Sequence, residues 1–158
     1  KAAEVNPRFS MAYTNLGAVY HAMGKTEEAL NAWRKAIELD PKNTQARFAL
    51  ANHYLSANDL PQAERLFRDV LVANPQSVEA LNSLGMILYR QQKIDDAIAA
   101  FNKALAVNPK FSPALNNLGA MYEEKGQLDR AKQMYQRALE VDPTNSEARR
   151  NLERLGTP

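Results

Sequence analysis

Apolar residues recur along this chain with a helical spacing, and the spacing is itself repeated. Tyr13, Leu16, Gly17 and Tyr20 fall at i, i+3, i+4 and i+7, one stripe of a 3.6-residue period. Ala29, Trp33 and Ala36 form a second stripe. Between them stands Gly24, which can take the left-handed conformation that ends a helix. The same pair of stripes returns down the chain in step with Pro7, Pro41, Pro75, Pro109 and Pro143, which are thirty-four residues apart. Pro41 follows a second helix and cannot continue it. A fixed period of this length means one small unit of two helices copied in tandem.

Counted from Ser10, complete repeats are predicted over 10–43, 44–77, 78–111 and 112–145. Residues 1–9 align with the end of a preceding repeat, and 146–158 with a C-terminal capping helix. Repeat position 8 holds Gly17, Ala51, Gly85 and Gly119, and position 20 holds Ala29, Ala63, Ala97 and Ala131. Position 24 holds the large rings Trp33, Phe67, Phe101 and Tyr135. Small residues facing large ones let stacked helices interdigitate. One hairpin cannot bury its apolar faces alone, so its neighbours must cover them.

Ser10, Ser77, Ser112 and Ser146 stand where N-caps are expected. Asn58 and Gln92 occupy the turn position of Gly24 and Gly126. There Asn tolerates the left-handed conformation, whereas Gln would be strained by about 1–2 kcal/mol, so either the turn differs in repeat 3 or it carries that strain. Arg47 and Val70 depart from the consensus and are expected to alter packing around repeat 2. Residues 1–9 read as the last nine positions of a further repeat, with Ala2 at position 27 and Pro7 at position 32, so the chain opens inside a second helix whose first helix is absent, as in a piece of a longer protein. Tyr13 and Leu16 would then lose part of their cover, from which weak end-to-end self-association is expected. At the other end Arg149 and Glu153 replace packing residues, while Ala148, Leu152 and Leu155 keep one apolar face, as a cap requires.

These residues resemble the tetratricopeptide repeat signature. Tyr13-x2-Leu16-Gly17-x2-Tyr20, Ala29-x3-Trp33 and Pro41 match it, and Leu115-x2-Leu118-Gly119-x2-Tyr122, Ala131-x3-Tyr135 and Pro143 match it again. The resemblance covers essentially the whole chain. It implies an all-α fold: a right-handed α-solenoid of stacked antiparallel helix hairpins, with a concave inner face.

Composition narrows the function classes. The formal net charge of +2 is spread evenly, so no repeat is basic enough for a nucleic-acid footprint. No apolar run is long enough to insert in a membrane. The chain has no cysteine, which excludes disulfides and thiolate metal sites but suits cytoplasm and periplasm alike. His21 and His53 have no i+4 partner of ligand type, so neither a metal nor another cofactor is expected. The adjacent carboxylates Glu27-Glu28, Asp95-Asp96 and Glu123-Glu124 point about 100° apart on a helix and make no acid/base pair. The chain reads as no enzyme.

Function then falls to a surface. Advancing 100° per residue along each first helix places positions 2, 5, 6, 9, 12 and 13 opposite the packed side. The resemblance implies that this set lines the concave face. Phe48, Leu55, Met86 and Tyr89 make an apolar zone there, flanked by Asn52, Asn82, Asn116, Asn117 and Arg90. Amides can bond the backbone of an extended peptide whatever its side chains, and apolar pockets can anchor it. These nine residues are the expected peptide site of a non-catalytic scaffold that holds an extended peptide or helix of a protein partner. The alternatives are a substrate-recognition arm of a larger enzyme, such as an O-linked glycosyltransferase, and a bacterial envelope or secretion assembly factor. The basic clamp with which some family members hold acidic C-termini is absent at Thr14, Ala18, Ala49, Glu79 and Ser83.

Overall fold

The computed structural model describes residues 6–156. Its described residues form nine α-helices and no strand: α1 (Pro7–Ala22), α2 (Thr26–Leu39), α3 (Thr44–Ser56), α4 (Leu60–Ala73), α5 (Val78–Arg90), α6 (Ile94–Val107), α7 (Ser112–Glu124), α8 (Leu128–Val141) and α9 (Ser146–Gly156). Helices pair as hairpins, α1 with α2, α3 with α4, α5 with α6 and α7 with α8, and α9 packs on α8. Two compact units result: Lys1–Pro75, holding α1–α4, and Gln76–Pro158, holding α5–α9.

The core of each hairpin is the close approach that the small residues foretell. Trp33, Phe67, Phe101 and Tyr135 are buried against the first helix of their own hairpin. A Cβ on Gly85 would stand 2.5 Å from the Phe101 ring, and one on Gly119 would stand 2.6 Å from Tyr135. One on Gly17 would overlap the Trp33 indole. Repeat 2 has Ala51 and Phe67 at the corresponding positions, both fully buried. Val70 is enclosed like its alanine counterparts Ala36, Ala104 and Ala138, and Arg47 is half-buried.

The turns follow from local chemistry. Asp40, Asn108 and Asp142 each accept, through Oδ1, the backbone N–H two residues on. Such Asx turns stop the second helix just before proline. In the short turn within each hairpin, Gly24, Asn58, Gln92 and Gly126 all have φ between 60° and 73°. Gln92 therefore carries the strained left-handed conformation rather than a different turn.

Helix capping differs from expectation at three of the four serines. Ser77 does cap α5, accepting from the Ala80 N–H. At Ser146 the cap lies one residue earlier, where Asn145 accepts from Ala148 N–H, as Asn43 caps α3 by accepting from Ala46 N–H. Ser146 thus lies just inside α9. Ser10 and Ser112 are buried inside their helices and donate to the carbonyls of Ala36 (2.7 Å) and Ala138 (3.0 Å). Asn43 and Asn145 then donate to those same serine hydroxyls, at 2.7 and 2.8 Å. An asparagine amide can accept at a cap and donate into the hairpin behind it at once, which serine cannot reach to do.

At the N-terminal end, Pro7, Arg8 and Phe9 form the first turn of α1, which is capped by Asn6. Proline is tolerated at a first-turn position because its missing N–H would have no helical partner there. Expectations for Lys1–Val5 lie outside the described residues. Phe9, Leu16, Val19 and Met23 are exposed along one side of α1, whereas Leu50 and Leu118, the counterparts of Leu16, are buried.

Candidate interaction surface

In the first unit, the inner face is carried by α1 and α3. A cavity of about 320 Å³ opens there, lined by Ala18, His21, Trp33, Ala49, Asn52, His53 and Ser56. Asn52 is half-buried on its wall. The His21 ring stands 5.7 Å from the Trp33 ring at a tilt of 53°. Trp33 is buried, and its Nε1–H has no hydrogen-bond partner among the described residues. Phe48 is half-buried and packs edge-on against Phe67 at 5.4 Å. Leu55, expected on the open face, is buried instead. Burying a leucine side chain removes apolar surface from water, which favours packing inward over exposure on the open face.

In the second unit the face is carried by α5, α7 and α9. Asn82 and Asn116, expected as free clamps, are buried and spoken for within the protein. Asn117 donates to Asn82 Oδ1 at 3.0 Å, and Asn151 donates to Asn116 Oδ1 at 3.1 Å. The reason is geometric: position 5 of one repeat lies within reach of position 6 of the next. Asn82 also points its Nδ2 at the Met86 sulfur, 3.8 Å away, and Met86 is half-buried. Tyr89 is half-buried and Arg90 exposed.

Beside Tyr89 lies a second cavity, of about 400 Å³, lined by Tyr89, Ala120, Glu123, Glu124, Tyr135, Asn151 and Arg154. Tyr135 donates to Glu123 Oε2 at 3.0 Å. Arg154 clamps both carboxylate oxygens of Glu123, with the Nη2 contact at 2.8 Å. Tyr89 donates to Glu124 Oε1 at 3.1 Å. The Arg154 hydrogen bond, aided by that from Tyr135, outweighs burial and holds the Glu123 carboxyl below its usual range. Burial first, then the bond to Glu123, pushes the Tyr135 phenol far above its ordinary value. The bond to Glu124 raises that of Tyr89.

The two cavities occupy corresponding places. Each takes positions 9, 12 and 24 of one repeat and positions 6 and 9 of the next. Sequence reasoning placed position 24 in the core and overlooked that Trp33 and Tyr135 carry a polar edge, which Phe67 and Phe101 lack. Reading positions 12 and 24 together would have found the pairs His21–Trp33 and Glu123–Tyr135.

Residues 4–115 match the family model described as the cytochrome c-type biogenesis protein H TPR domain, and residues 112–145 match the tetratricopeptide repeat itself. The chain belongs to the tetratricopeptide repeat family. Its fold class is accordingly the all-α helical-repeat solenoid of that family. No curated protein matches the chain. Among solved structures, this tetratricopeptide chain is similar to PilW, a widely conserved type IV pilus biogenesis factor, at 29% identity and a TM-score of 0.84, covering 92% of this chain and 68% of that one. It is similar to PilF of Pseudomonas aeruginosa at 26% identity and a TM-score of 0.83, covering 94% and 68%. The first TPR of Spaghetti (RPAP3), bound to the HSP90 peptide SRMEEVD, shares the fold at 24% identity and a TM-score of 0.68, covering 71% of this chain and 91% of that one.

Proposed function

We propose that this chain is a non-catalytic protein–protein interaction scaffold whose inner helix faces hold an extended peptide or a helix of a partner. Tetratricopeptide domains are in general interaction modules without catalytic activity. The observation that carries the finer reading is the pair of cavities on those faces, each bordered by partly exposed groups that the fold does not need for packing. Asn52 on the first unit, and Met86, Tyr89, Arg90 and Asn117 on the second, are the contact residues; Phe48 supplies an apolar edge. Asn82 and Asn116 act by fixing Asn117 and Asn151, and Leu55 by packing beneath. A peptide-bound relative supports the mode by analogy of fold.

Tyr89 is the expected anchor. With partners recovered on the immobilised chain, Tyr89→Ala should weaken the complex by about 2 kcal/mol or more. An unchanged affinity removes Tyr89 from the site. A second reading, an assembly factor of the bacterial envelope, is favoured by the cytochrome c biogenesis family match and the pilus biogenesis relatives. Deleting the gene in its source organism and staining for c-type cytochromes and surface pili tests it; normal levels of both exclude it.

A further inference from the structure

The first unit carries another concavity, of about 430 Å³, set among α2, α3 and α4. It shares no lining residue with the inner-face cavity at Asn52. Arg34 of α2, Arg47 of α3 and Arg65 of α4 all line it, against a single carboxylate, Asp69. Repeats 1 and 2 each carry equal numbers of acidic and basic residues, so the sequence shows no such excess. The fold creates it by gathering arginines from two repeats. Among the described residues Arg47 and Arg65 make no ion pair, whereas Arg68 is held by Glu64. Arg34 donates to Tyr54 Oη at 3.1 Å, which steadies the guanidinium and leaves most of its donors open.

Arg47 adds an independent reason to look here. It occupies repeat position 4, where Leu81 and Leu115 are buried packing residues. The arginine is half-buried there and has no partner in the chain. A partly desolvated cation gains when it is paired, and leucine would serve packing better. In the second unit the places of Arg34, Arg47 and Arg65 are held by Asn102, Leu115 and Gln133, so the charge is peculiar to the first unit. The same lining includes the aliphatic side chains of Ile37, Leu50 and Leu66.

We propose that this outer concavity docks an acidic segment of a protein partner. Carboxylates of the segment pair with Arg34, Arg47 and Arg65, and an aliphatic side chain seats on Ile37, Leu50 and Leu66. Guanidinium groups take carboxylates in bidentate fashion, and the charge complementarity decides the sign of the occupant. The aliphatic lining favours a peptide over a polynucleotide, whose bases stack on open ring faces. Tyr54, the one ring in the lining, is half-buried and tethered by Arg34. This surface stands apart from the inner groove and does not rest on that reading.

The probe is acetyl-Glu-Ser-Leu-Ser-Glu-amide, whose glutamates and leucine share one edge when extended. Titrated at neutral pH and low salt, it should shift the backbone amides of Arg47, Leu50 and Tyr54 saturably. The version with Gln for Glu should shift them far less, and the version with Ser for Leu should bind about threefold or more weakly. Arg47→Leu restores the residue type of the later repeats, and Arg65→Gln changes an exposed site. Each should weaken binding of the acidic peptide about threefold or more. Tyr89→Ala should leave it unchanged. Equal responses to the Glu and Gln peptides, no response at these amides, or unchanged affinity in both arginine variants overturns the proposal. Equal affinity for the Leu and Ser peptides removes the aliphatic seat and overturns it too. An oligothymidylate that shifts these amides more strongly than the acidic peptide overturns it in favour of a polynucleotide surface.

Discussion

At the scale of single residues, the repeat positions tolerate exceptions only where the exception can bear the geometry. Gln92 sits at φ 64° where two other repeats have glycine. Gln92→Gly should raise stability by about 0.5–1 kcal/mol, because relief of Cβ strain exceeds the extra unfolded-state entropy of glycine. Denaturant unfolding checks this, and a loss of stability would show that the turn is not strained. Glu123 is the second case. Its folded-state pKa lies below the ordinary value of 4.5, owing first to Arg154. Its contribution is therefore fully present above the unfolded-state value and is lost as pH falls through the folded one. Melting temperature should thus fall more steeply with acid below about pH 4.5 in the wild-type chain than in Glu123→Gln. Parallel acid limbs would remove Glu123 from the acid response.

At the scale of helices, the hairpin is closed by more than apolar contact. The chain Ala148 N–H to Asn145, Asn145 to Ser112 and Ser112 to the Ala138 carbonyl ties three helices at one point. Asn43, Ser10 and Ala36 tie the first unit in the same way. Asn145→Ala removes the cap and leaves Ser112 Oγ without its donor, so a loss of about 1–2 kcal/mol is expected. Asn145→Asp keeps the acceptor and loses only the donor, so it should lie between the two in thermal unfolding. Serine-capped starts were legible at Ser77 alone. Elsewhere a serine beside a helix start looks the same in sequence whether it caps or lies buried one position inside, since both need a small hydroxyl.

At the scale of the whole molecule, each unit leaves surface that its own packing does not use. Phe9, Leu16 and Val19 on α1, with Met23 just after it, leave exposed apolar surface of this kind. Weak self-association through it should appear in sedimentation at millimolar concentration, and Leu16→Glu should abolish it; a strict monomer in the wild-type chain refutes it. The sequence by itself determined the helices, their pairing into hairpins and the small-against-large core, because these depend on periodicity and on side-chain volume at fixed spacing. It also determined which helix faces were candidates for binding. Only the tertiary structure decided which residues on those faces are free. Leu55, Asn82 and Asn116 share the angular sector of Asn52 and Tyr89 but are buried, the two asparagines engaged by Asn117 of α7 and Asn151 of α9. The angle around one helix is a local quantity, whereas burial depends on where the next helix lies. The unpartnered Trp33 N–H and the engaged Tyr135 O–H are likewise products of side chains brought together from different repeats, which no spacing along the chain encodes.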